Sequence, residues 1–274
     1  MSDLYCVFGN PIAHSKSPAI HAAFAAATGQ DMHYEARLAA VDGFKPAISE
    51  FVAMGGKGAN VTVPFKEEAF RLATRLSERA SRAGAVNTLA FNGTEIFGDN
   101  TDGAGLVRDI VHNLGVSLAG KRILLLGAGG ASRGVIAPLL AERPASLFIA
   151  NRSAGKAEAL AASFADMATV NAGNFAKTDD MTFDLVVNAT SASLSGDALP
   201  LPNGIFAEGC VAYDMMYGQS ETPFLAQARE QGVVQRADGL GMLVEQAAEA
   251  FFVWRGVRPA TRQVLADLRS KLGQ

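Results

Sequence analysis

Short blocks of hydrophobic and polar positions predict strands and helices that alternate along the chain. In the first part of the chain, strands are predicted at 4–9, 33–38, 58–63, 86–91 and 95–98, with a hairpin around Asn92-Gly93 joining the last two. Helices are predicted at 42–54, 64–74 and 77–83. An earlier helix should have Ser17 as its N-cap and Pro18 as its first residue, and should stop at Gly29. This alternation is typical of an α/β protein with mostly parallel sheets.

The second part of the chain repeats the alternation. The continuous apolar run from Ile123 to Leu126 predicts a strand buried on both faces. Further strands are predicted near 146–150, 167–170, 184–188, 210–214 and 233–235. Pro138 falls inside the helix expected after the first of these strands, so either that helix kinks or its boundary lies elsewhere. A later helix should run from a cap at Asp238 to Gly256, and a final helix should follow Pro259.

Composition and charge narrow the classes of partner. The chain has 274 residues, of which 49% are hydrophobic, enough to bury one large core or two smaller ones. Its net charge of -3 provides no positive field for nucleic acid or an anionic membrane, so neither is expected as a partner. A small anion would have to be bound by a local site. The sequence does not fix the oligomeric state, and we expect a monomer or a homodimer.

The sequence predicts no disulfide, no metal site and no membrane-spanning segment. Cys6 and Cys210 both lie in apolar, strand-like runs, so we expect buried thiols rather than a disulfide. The four histidines have no metal-ligand spacing and no C-x-x-C pair is present, so no metal site is expected. No signal region is visible, and no apolar run approaches the ~18–20 residues of a membrane span. We therefore expect a cytoplasmic protein.

A glycine-rich turn between a buried strand and a helix is one candidate binding site. Gly127, Gly129 and Gly130 occupy this turn. Glycine there lets the backbone approach a pyrophosphate, whose charge is met by free N–H groups at the start of the helix. Ser132 stands where the usual G-x-G-x-x-G pattern has its third glycine, so a merely tight turn is the alternative.

The strand after the glycine turn is followed by cationic residues. An acidic residue at this point would bind the free ribose hydroxyl of NAD, but this chain has Arg152 and Lys156. A guanidinium can bind the 2′-phosphate of NADP through two parallel hydrogen bonds, and Asn151 and Ser153 can donate others. The alternative is an exposed cationic helix start, which the positive end of the helix dipole disfavours. NADP is therefore the expected cofactor.

Polar residues also gather at strand ends in the first part of the chain. Ser15 and Ser17 follow the first strand and offer hydroxyl donors to an anion, although Ser17 alone could be an ordinary cap. Open α/β sheets gather ligands at strand ends. Candidates near later strand ends are Thr62, Lys66, Asn87 and Asp102. A lysine at the position of Lys66 could otherwise be a solvated helix residue.

The motifs that carry these residues together resemble the shikimate dehydrogenase family. They are GNPIAHSKSP, NVTVPFK, GAVNTL, GDNTDG, GAGGAS, NRSAGK, NATS and DGLGML, and the resemblance runs from about residue 5 to 255. Several are specific in combination, whereas the glycine turn alone is shared by many enzymes.

The resemblance implies an α/β protein of two domains separated by a cleft. An N-terminal open α/β domain for the substrate would comprise 1–102 and 239–274, and a Rossmann-like NADP-binding domain would comprise 103–238. Because the chain would cross twice between them, the domains could hinge to close over the substrate.

The same resemblance implies roles position by position. The substrate carboxylate would be bound by Ser15 and Ser17. Its ring hydroxyls would be surrounded by Thr62, Lys66, Asn87, Asp102 and Gln246, and Tyr217 would help to close the site. The cofactor would contact Gly127, Ala128, Gly129, Gly130 and Ala131 through its pyrophosphate, and Asn151, Arg152, Ser153 and Lys156 through its adenosine phosphate. Its nicotinamide half would contact Thr190, Met215, Gly239 and Met242, with Glu78 also near the cofactor. Without the resemblance, Gln246 and Glu78 would be ordinary surface residues.

The family reaction takes 3-dehydroshikimate and NADPH to shikimate and NADP, a step of chorismate and aromatic amino acid biosynthesis. The hydride chemistry belongs to the cofactor, so the protein must supply a proton donor within hydrogen-bond reach of the ketone oxygen. Lys66 is the candidate donor, and Asp102 would orient it or share the proton transfer.

Other functions stay open at this point. A sister oxidoreductase acting on quinate, or on both acids, would differ only by small changes in the pocket. A non-catalytic NADP-binding sensor would have no need of Lys66 and Asp102. Methylene-tetrahydrofolate dehydrogenases have a similar two-domain arrangement, but the paired serines have no obvious use with a pterin.

Overall fold

The computed structural model describes residues 2–192 and 198–273 and divides into two compact units. The first unit comprises Met1–Gly105 and Val244–Ala266. The second comprises Leu106–Leu243 and Asp267–Gln274. Each unit is built on one sheet of six strands.

The sheet of the first unit is mixed. Its strands are β1 (Asp3–Gly9), β2 (Met32–Leu38), β3 (Gly56–Val61), β4 (Arg75–Leu76), β5 (Thr88–Asn92) and β6 (Glu95–Asp99), in the spatial order β2-β1-β3-β5-β6-β4. β1 is parallel to β2 and β3, whereas β5 is antiparallel to β3 and β6. The start of β5 therefore lies at the same sheet edge as the ends of β3 and β6. This edge carries most of the polar candidates of the unit.

Two apolar clusters pack on the two faces of this sheet, because successive strand residues point to opposite sides. One contains Cys6 and Phe8 together with Phe44 and Phe51. The other contains Tyr5, Val7, Ile12 and Tyr34, with Trp254 packed against them. The helices of the first hundred or so residues are α1 (Ser17–Thr28), α2 (Phe44–Ala53), α3 (Lys66–Leu72), α4 (Glu78–Ala83) and α5 (Asp102–Arg108). A π-helical turn, Asp109–Asn113, continues α5.

The sheet of the second unit is entirely parallel. Its strands are β7 (Arg122–Leu126), β8 (Ser146–Ala150), β9 (Val170–Gly173), β10 (Phe183–Asn188), β11 (Phe206–Asp214) and β12 (Gln235–Ala237), in the spatial order β12-β11-β10-β7-β8-β9. Chain order reverses between β7 and β10, and in open α/β sheets ligands bind beyond the carboxyl ends of the strands at such a point.

Both faces of this sheet are buried, as the apolar run in β7 predicts. Ile123 and Leu125 belong to one core cluster, and Leu124 and Leu126 belong to another. The later helices are α6 (Gly130–Ala141), α7 (Ala154–Ala162), α8 (Pro223–Glu230), α9 (Leu240–Arg255) and α10 (Arg262–Leu272), and Phe175–Thr178 forms a 3-10 turn.

The predicted α/β class and the hairpin between β5 and β6 are confirmed. The start of α1 differs from the prediction. Lys16 occupies the N-cap position without a capping side chain, Ser17 is the first helical residue, and Pro18 is therefore the second. The backbone N–H of Ser17 lies 3.3 Å from the hydroxyl of Ser15. Because Ser17 already has helical backbone geometry, Ser15 rather than Ser17 supplies the hydroxyl acceptor at this helix start.

Pro138 lies inside α6, which continues to Ala141. Of the two alternatives for Pro138, a helix boundary elsewhere is therefore wrong, because the helix continues past the proline. Several other boundaries shift by a few residues: β3 covers Gly56–Val61 rather than 58–63, and β9 covers Val170–Gly173 rather than 167–170. The short strand β4 has no counterpart in the prediction, because two residues carry too little periodicity to reveal a strand.

The division into units also differs from the predicted domain boundaries. Residues 103–105 group with the first unit, while 239–243 and the chain from Asp267 onward group with the second. Contacts explain the change at the chain end, because the Arg269 guanidinium lies 3.4 Å from the carboxylate of Asp238. The unit boundaries thus differ from the predicted domain boundaries by a few residues, and the assignment of 239–274 to the substrate domain stays a prediction.

Cys6 and Cys210 are both buried free thiols, as expected. Burial raises the pKa of Cys6 above its ordinary range and raises that of Cys210 to about 12, so neither is a ready thiolate. Within the described ranges, no helix is long and apolar enough to cross a membrane. The described residues also contain no group of three or more His, Cys, Asp or Glu side chains that could hold a metal ion.

Candidate active site

Lys66 and Asp102 form an ion pair in the first unit. Lys66 is the first residue of α3, just after β3, and Asp102 is the first residue of α5, just after β6. The Lys66 Nζ lies 2.6 Å from Asp102 Oδ2, and the two side chains are 31% and 17% exposed. The ammonium is thus fixed by a charge-assisted hydrogen bond while part of its surface stays accessible to a ligand.

Asn87, which immediately precedes β5, connects this ion pair to its surroundings. Its Nδ2 donates to Asp102 Oδ1 at 2.8 Å, so both carboxylate oxygens of Asp102 have a donor. Its Oδ1 accepts the backbone N–H of Thr101 at 2.9 Å. A backbone N–H can only donate, so this contact fixes which end of the Asn87 amide is oxygen. Thr101 therefore orients the Asn87 amide group toward Asp102.

Gln246 joins the same cluster from α9. Its Oε1 lies 3.3 Å from the Thr101 hydroxyl and 3.3 Å from Asn87 Nδ2. Lys66, Asn87, Thr101, Asp102 and Gln246 thus form one connected set of polar groups, hereafter the lysine network. All of its members belong to the first unit. Of the residues predicted for the substrate, the network contains Lys66, Asn87, Asp102 and Gln246. Ser15, Ser17, Thr62 and Tyr217 are not members of it.

Ser15 lies between the end of β1 and the start of α1, Ser17 is the first residue of α1, and Thr62 directly follows the neighbouring strand β3. These strands are parallel, with Phe8 opposite Val61, so the loops after them start at the same sheet edge. The backbone N–H of Thr62 donates to Phe8 O at 2.9 Å. A Cβ at Gly9 would lie only 2.5 Å from Thr62 Cγ2, so the absence of a side chain there lets the loops approach each other.

The glycine turn of the second unit comprises residues 127–131. Gly127 has φ 105°, which L side chains rarely adopt, and a Cβ there would lie 3.1 Å from Thr190 Cγ2. Gly129 is the N-cap of α6 and supplies no capping side chain. At Gly129 and Gly130 a Cβ would meet nothing within 4 Å, so the space beside both glycines is open. Such a turn fits a phosphate group at a helix start.

The cationic residues lie after β8, in the segment 151–156, hereafter the arginine segment. The side chains of Arg152 and Lys156 are exposed. Among the described residues neither makes a side-chain hydrogen bond or an ion pair. The Asn151 amide donates to Ser153 O at 3.0 Å and shapes the turn into α7. Two uncompensated cations at this place fit a further phosphate.

Residues after β10 and β11 complete the edge around the glycine turn. The Thr190 hydroxyl donates to Asn188 Oδ1 at 2.7 Å, and the Met215 N–H donates to Asn188 O at 2.9 Å. A Cβ at Gly239 would lie 2.1 Å from Met215 O, so only glycine fits there. Met242 is buried in the core cluster against which Met215 packs. The cofactor candidates thus gather at the point where strand order reverses.

Comparisons with known proteins decide the family. Residues 7–89 match the shikimate dehydrogenase substrate binding domain, 108–195 match shikimate / quinate 5-dehydrogenase, and 239–269 match the shikimate 5′-dehydrogenase C-terminal domain. The chain is 79% identical over 272 residues to the NADP(+) shikimate dehydrogenase of Dechloromonas aromatica, covering 99% of each. The chain belongs to the shikimate dehydrogenase family.

Solved structures support the same assignment. The Ael1 enzyme of Pseudomonas putida has a TM-score of 0.93 and 50% identity, covering 97% of this chain and 98% of that one. Shikimate 5-dehydrogenase of Thermus thermophilus, solved in complex with NADP(H) and shikimate, has a TM-score of 0.86 and 32% identity, covering 98% and 99%. The family and fold inferred from the motifs are therefore confirmed.

Two residues that the family resemblance singled out lie outside both clusters. Tyr217 belongs to the second unit and is half-buried, and both burial and the charge of Asp238 raise its pKa. Glu78, at the start of α4, is 83% exposed and accepts a hydrogen bond from Arg82 at 3.3 Å. Their roles in a shikimate dehydrogenase family member stay predictions.

Several polar residues that shape the two clusters were not singled out in the sequence. Thr101 orients Asn87, and the buried Asn188 and Asp214 fix the strand ends beside the glycine turn. Asp214 Oδ2 accepts from Thr222 at 2.6 Å, and its Oδ1 accepts the Met216 N–H at 3.0 Å. The signal in each case was a polar residue directly after an apolar strand run, within the motifs GDNTDG, NATS and YDMM.

Proposed function

We propose that this chain catalyses the reversible NADPH-dependent reduction of 3-dehydroshikimate to shikimate, a step of chorismate and aromatic amino acid biosynthesis. The observation that carries the proposal is the 2.6 Å pair of Lys66 and Asp102, which is set among amide and hydroxyl groups. Ring hydroxyls need such mixed donors and acceptors, and a ketone oxygen needs a proton donor. Relatives at 79% and 62% identity carry the name NADP(+) shikimate dehydrogenase.

The residues of the first unit bind and orient the substrate in this proposal. Ser15 and Ser17 donate hydrogen bonds to its carboxylate. Its ring hydroxyls contact Thr62, Lys66, Asn87, Asp102 and Gln246. Because Asn87 is fixed by Thr101, its amide loses little freedom when substrate binds. Tyr217 contributes a further contact to the substrate.

Lys66 and Asp102 carry out the proton transfer to the substrate in this proposal. When bound, NADPH supplies the hydride that reaches the carbonyl carbon. Lys66 Nζ donates a proton to the carbonyl oxygen as negative charge develops on it, and the ammonium stabilises that charge. Asp102 holds the ammonium in place, and after the transfer it relays a proton from solvent that restores the charge of Lys66. In the oxidation of shikimate the same groups take the hydroxyl proton. Since they share one hydrogen bond, the proton transfer belongs to the pair.

The residues of the second unit suit NADP. The pyrophosphate is bound by Gly127, Ala128, Gly129, Gly130 and Ala131, and the 2′-phosphate by Asn151, Arg152, Ser153 and Lys156. The open space beside the exposed Gly129 and Gly130 and the exposed cations support this assignment. The nicotinamide half contacts Thr190, Met215, Gly239 and Met242, and Glu78 lies near the cofactor.

A steady-state assay of purified protein tests the function. Shikimate and quinate are supplied in parallel, each with NADP and with NAD, and the absorbance of the reduced cofactor is followed. We expect rapid turnover with shikimate and NADP, and slower turnover with NAD. The matching model for residues 108–195 is described for both shikimate and quinate, so quinate is the second candidate substrate. Equal kcat/KM for the two acids would make the enzyme dual, and no turnover with either would overturn the proposal in favour of a sensor.

Location and assembly belong to the same proposal. We propose a cytoplasmic enzyme that is a monomer or a homodimer. Light scattering coupled to size-exclusion chromatography measures the mass in solution, against 28.6 kDa for one chain. A mass of four chains or more would contradict this part of the proposal.

A further inference from the structure

A buried hydrogen-bond chain lies behind the lysine network in the first unit. The Tyr34 hydroxyl donates to Asn60 Oδ1 at 2.7 Å. Asn60 Nδ2 donates to the backbone oxygen of Asn87 at 3.2 Å and to the Thr88 hydroxyl at 3.1 Å. Tyr34, Asn60, Asn87 and Thr88 are all less than a tenth exposed. Water therefore cannot easily replace any lost partner in this chain.

One end of the chain reaches the lysine network directly. The Thr88 hydroxyl donates to Asn87 Oδ1 at 2.9 Å, the same oxygen that accepts the Thr101 N–H. Asn60 thus contacts the backbone oxygen of Asn87 directly. It is also connected to the side-chain oxygen of Asn87 by way of the Thr88 hydroxyl. The amide nitrogen of Asn87 then contacts Asp102. Any rotation of Asn60 is transmitted to the group that orients Asp102.

The other end of the chain is the Tyr34 hydroxyl. Burial raises the pKa of Tyr34 well above its ordinary value, so the hydroxyl stays protonated and can donate to Asn60.

We propose that Tyr34 is a positioning residue that, through Asn60, holds Asn87 in the orientation the substrate requires; this inference rests on the proposed function. The Tyr34 hydroxyl donates to Asn60 Oδ1 at 2.7 Å, the shortest hydrogen bond of the buried chain. Removing the hydroxyl takes this donor away from the Asn60 oxygen in the core. The Asn60 amide relieves the loss by rotating, which withdraws Nδ2 from Asn87 and loosens the network.

The surroundings of Tyr34 allow a clean test. Its ring stacks on His21 with centroids 4.2 Å apart, so Tyr34→Phe keeps the packing and removes only the hydroxyl. Tyr5 is a matched control, because it is opposite Tyr34 in the strand register, is equally buried and belongs to the same apolar cluster. Its hydroxyl lies 3.4 Å from Arg255 and contacts no member of the lysine network.

The experiment measures kcat, the KM for shikimate, the KM for NADP and the melting temperature of wild type, Tyr34→Phe and Tyr5→Phe. For Tyr34→Phe we expect the KM for shikimate to rise about tenfold, the scale of one buried hydrogen bond, with the KM for NADP within about twofold of wild type. Tyr5→Phe should leave both KM values within about twofold. If the Tyr34 hydroxyl had only a structural role, Tyr34→Phe would lower the melting temperature, as Tyr5→Phe would, and leave the KM for shikimate unchanged.

Asn60→Leu provides the second arm, since it removes the relay while keeping the size of the side chain. It should raise the KM for shikimate similarly, and adding Tyr34→Phe to it should produce little further change. Multiplying effects in the double variant, or an unchanged KM in active Tyr34→Phe, would overturn the proposal. If Tyr34→Phe fails to fold, an unchanged KM in Asn60→Leu overturns it instead. Wild-type protein that does not oxidise shikimate would overturn the proposed function itself.

Discussion

The lysine network and the arginine segment differ in whether their cations are paired with an anion of the protein. In the lysine network, the one cation is paired with Asp102 at 2.6 Å, and Asn87 completes the pairing of the carboxylate. In the arginine segment, Arg152 and Lys156 are exposed and have no ion-pair partner among the described residues. The first arrangement is complete before any ligand arrives, whereas the second leaves its charge for the ligand to neutralise.

The difference corresponds to what each region is proposed to do. A site that transfers a proton needs fixed distances, and mutual hydrogen bonds among its own groups provide them. A site that only binds a phosphate needs accessible cations, because any internal partner would compete with the ligand. Substitutions in the lysine network should therefore lower turnover, and substitutions in the arginine segment should weaken affinity.

The largest expected effect comes from removing the cation of the lysine network. Lys66→Ala should lower kcat by ~10² or more, because a positioned proton donor contributes on that scale. Circular dichroism and the melting temperature should remain close to wild type, since the Lys66 side chain is partly exposed. Steady-state oxidation of shikimate with saturating NADP measures the loss.

Lys57→Ala is the control for this prediction. Lys57 is an exposed lysine in β3, at the end of the strand opposite to the turn into α3. Its removal should leave kcat near the wild-type value. Near-normal turnover in Lys66→Ala would remove this lysine from the mechanism and with it the contrast between the two regions.

A smaller effect, on affinity alone, is expected in the arginine segment. Arg152→Ala should raise the KM for NADPH by about 10- to 100-fold, the scale of a charge-assisted hydrogen bond to a phosphate. The kcat at saturating cofactor should change little. The KM for NADH should also change little, because NADH lacks the 2′-phosphate.

NADH is therefore the internal control for the Arg152 variant, measured on the same protein preparation. Equal damage with both cofactors would mean that Arg152 supports the local fold rather than binding the phosphate. A fall in kcat without a rise in the KM for NADPH would contradict the division of labour between the two regions.

The two regions also differ in how far the sequence could predict them. The glycine turn and the arginine segment follow directly from a local pattern, in which a buried strand is followed by glycines or cations. Gly127 and Arg152 could be singled out because each motif is contiguous. The lysine network is joined by contacts between positions up to 159 residues apart. Lys66, Asn87 and Asp102 could be singled out as polar residues near strand ends, whereas Gln246 was included only through the family resemblance.

Thr101 and Tyr34 show why the rest could not be predicted. The role of Thr101 depends on the antiparallel pairing of β5 with β6, which brings Asn87 next to it. Tyr34 looks like any aromatic residue of a half-buried strand, and its hydroxyl finds Asn60 only because β2 and β3 flank the same strand, β1. Ser17 was predicted as a cap because residue type alone does not fix where helical geometry begins.

The buried histidine His21, which stacks on Tyr34, should make the free energy of unfolding depend on pH. His21 is fully buried against Tyr34, Phe24, Phe251 and Trp254, and neither ring nitrogen has a hydrogen-bond partner among the described residues. Burial lowers its pKa to about 3, from an ordinary value of 6.5, and Asn60 acts in the opposite direction. The folded protein therefore holds this histidine neutral, while the unfolded chain protonates it below about pH 6.5.

The free energy of unfolding should decrease as the pH falls, because the unfolded chain binds a proton that the folded protein does not. The unfolded state binds the extra proton between pH 6.5 and 3, so the stability linked to His21 is complete above that range and is lost as the pH falls. From pH 7 to 5 the loss should be about 2 kcal/mol, from the pKa shift at about 1.4 kcal/mol per unit. Urea unfolding of wild type and His21→Phe at both pH values measures it. The same pH dependence in both proteins would show that His21 is not held neutral.

The smallest expected effect concerns the openness of the arginine segment. Gly155 lies in the first turn of α7, and a Cβ built there would meet nothing within 4 Å. Because alanine loses less conformational entropy than glycine in a helix, Gly155→Ala should raise the free energy of unfolding by about 0.5 kcal/mol. Gly127→Ala is the contrasting change, since φ 105° and the 3.1 Å approach of Thr190 should make it destabilising. Thermal and urea unfolding measure both variants. Destabilisation by Gly155→Ala would mean that the segment is packed rather than open, and its cations would then not be free to meet a phosphate.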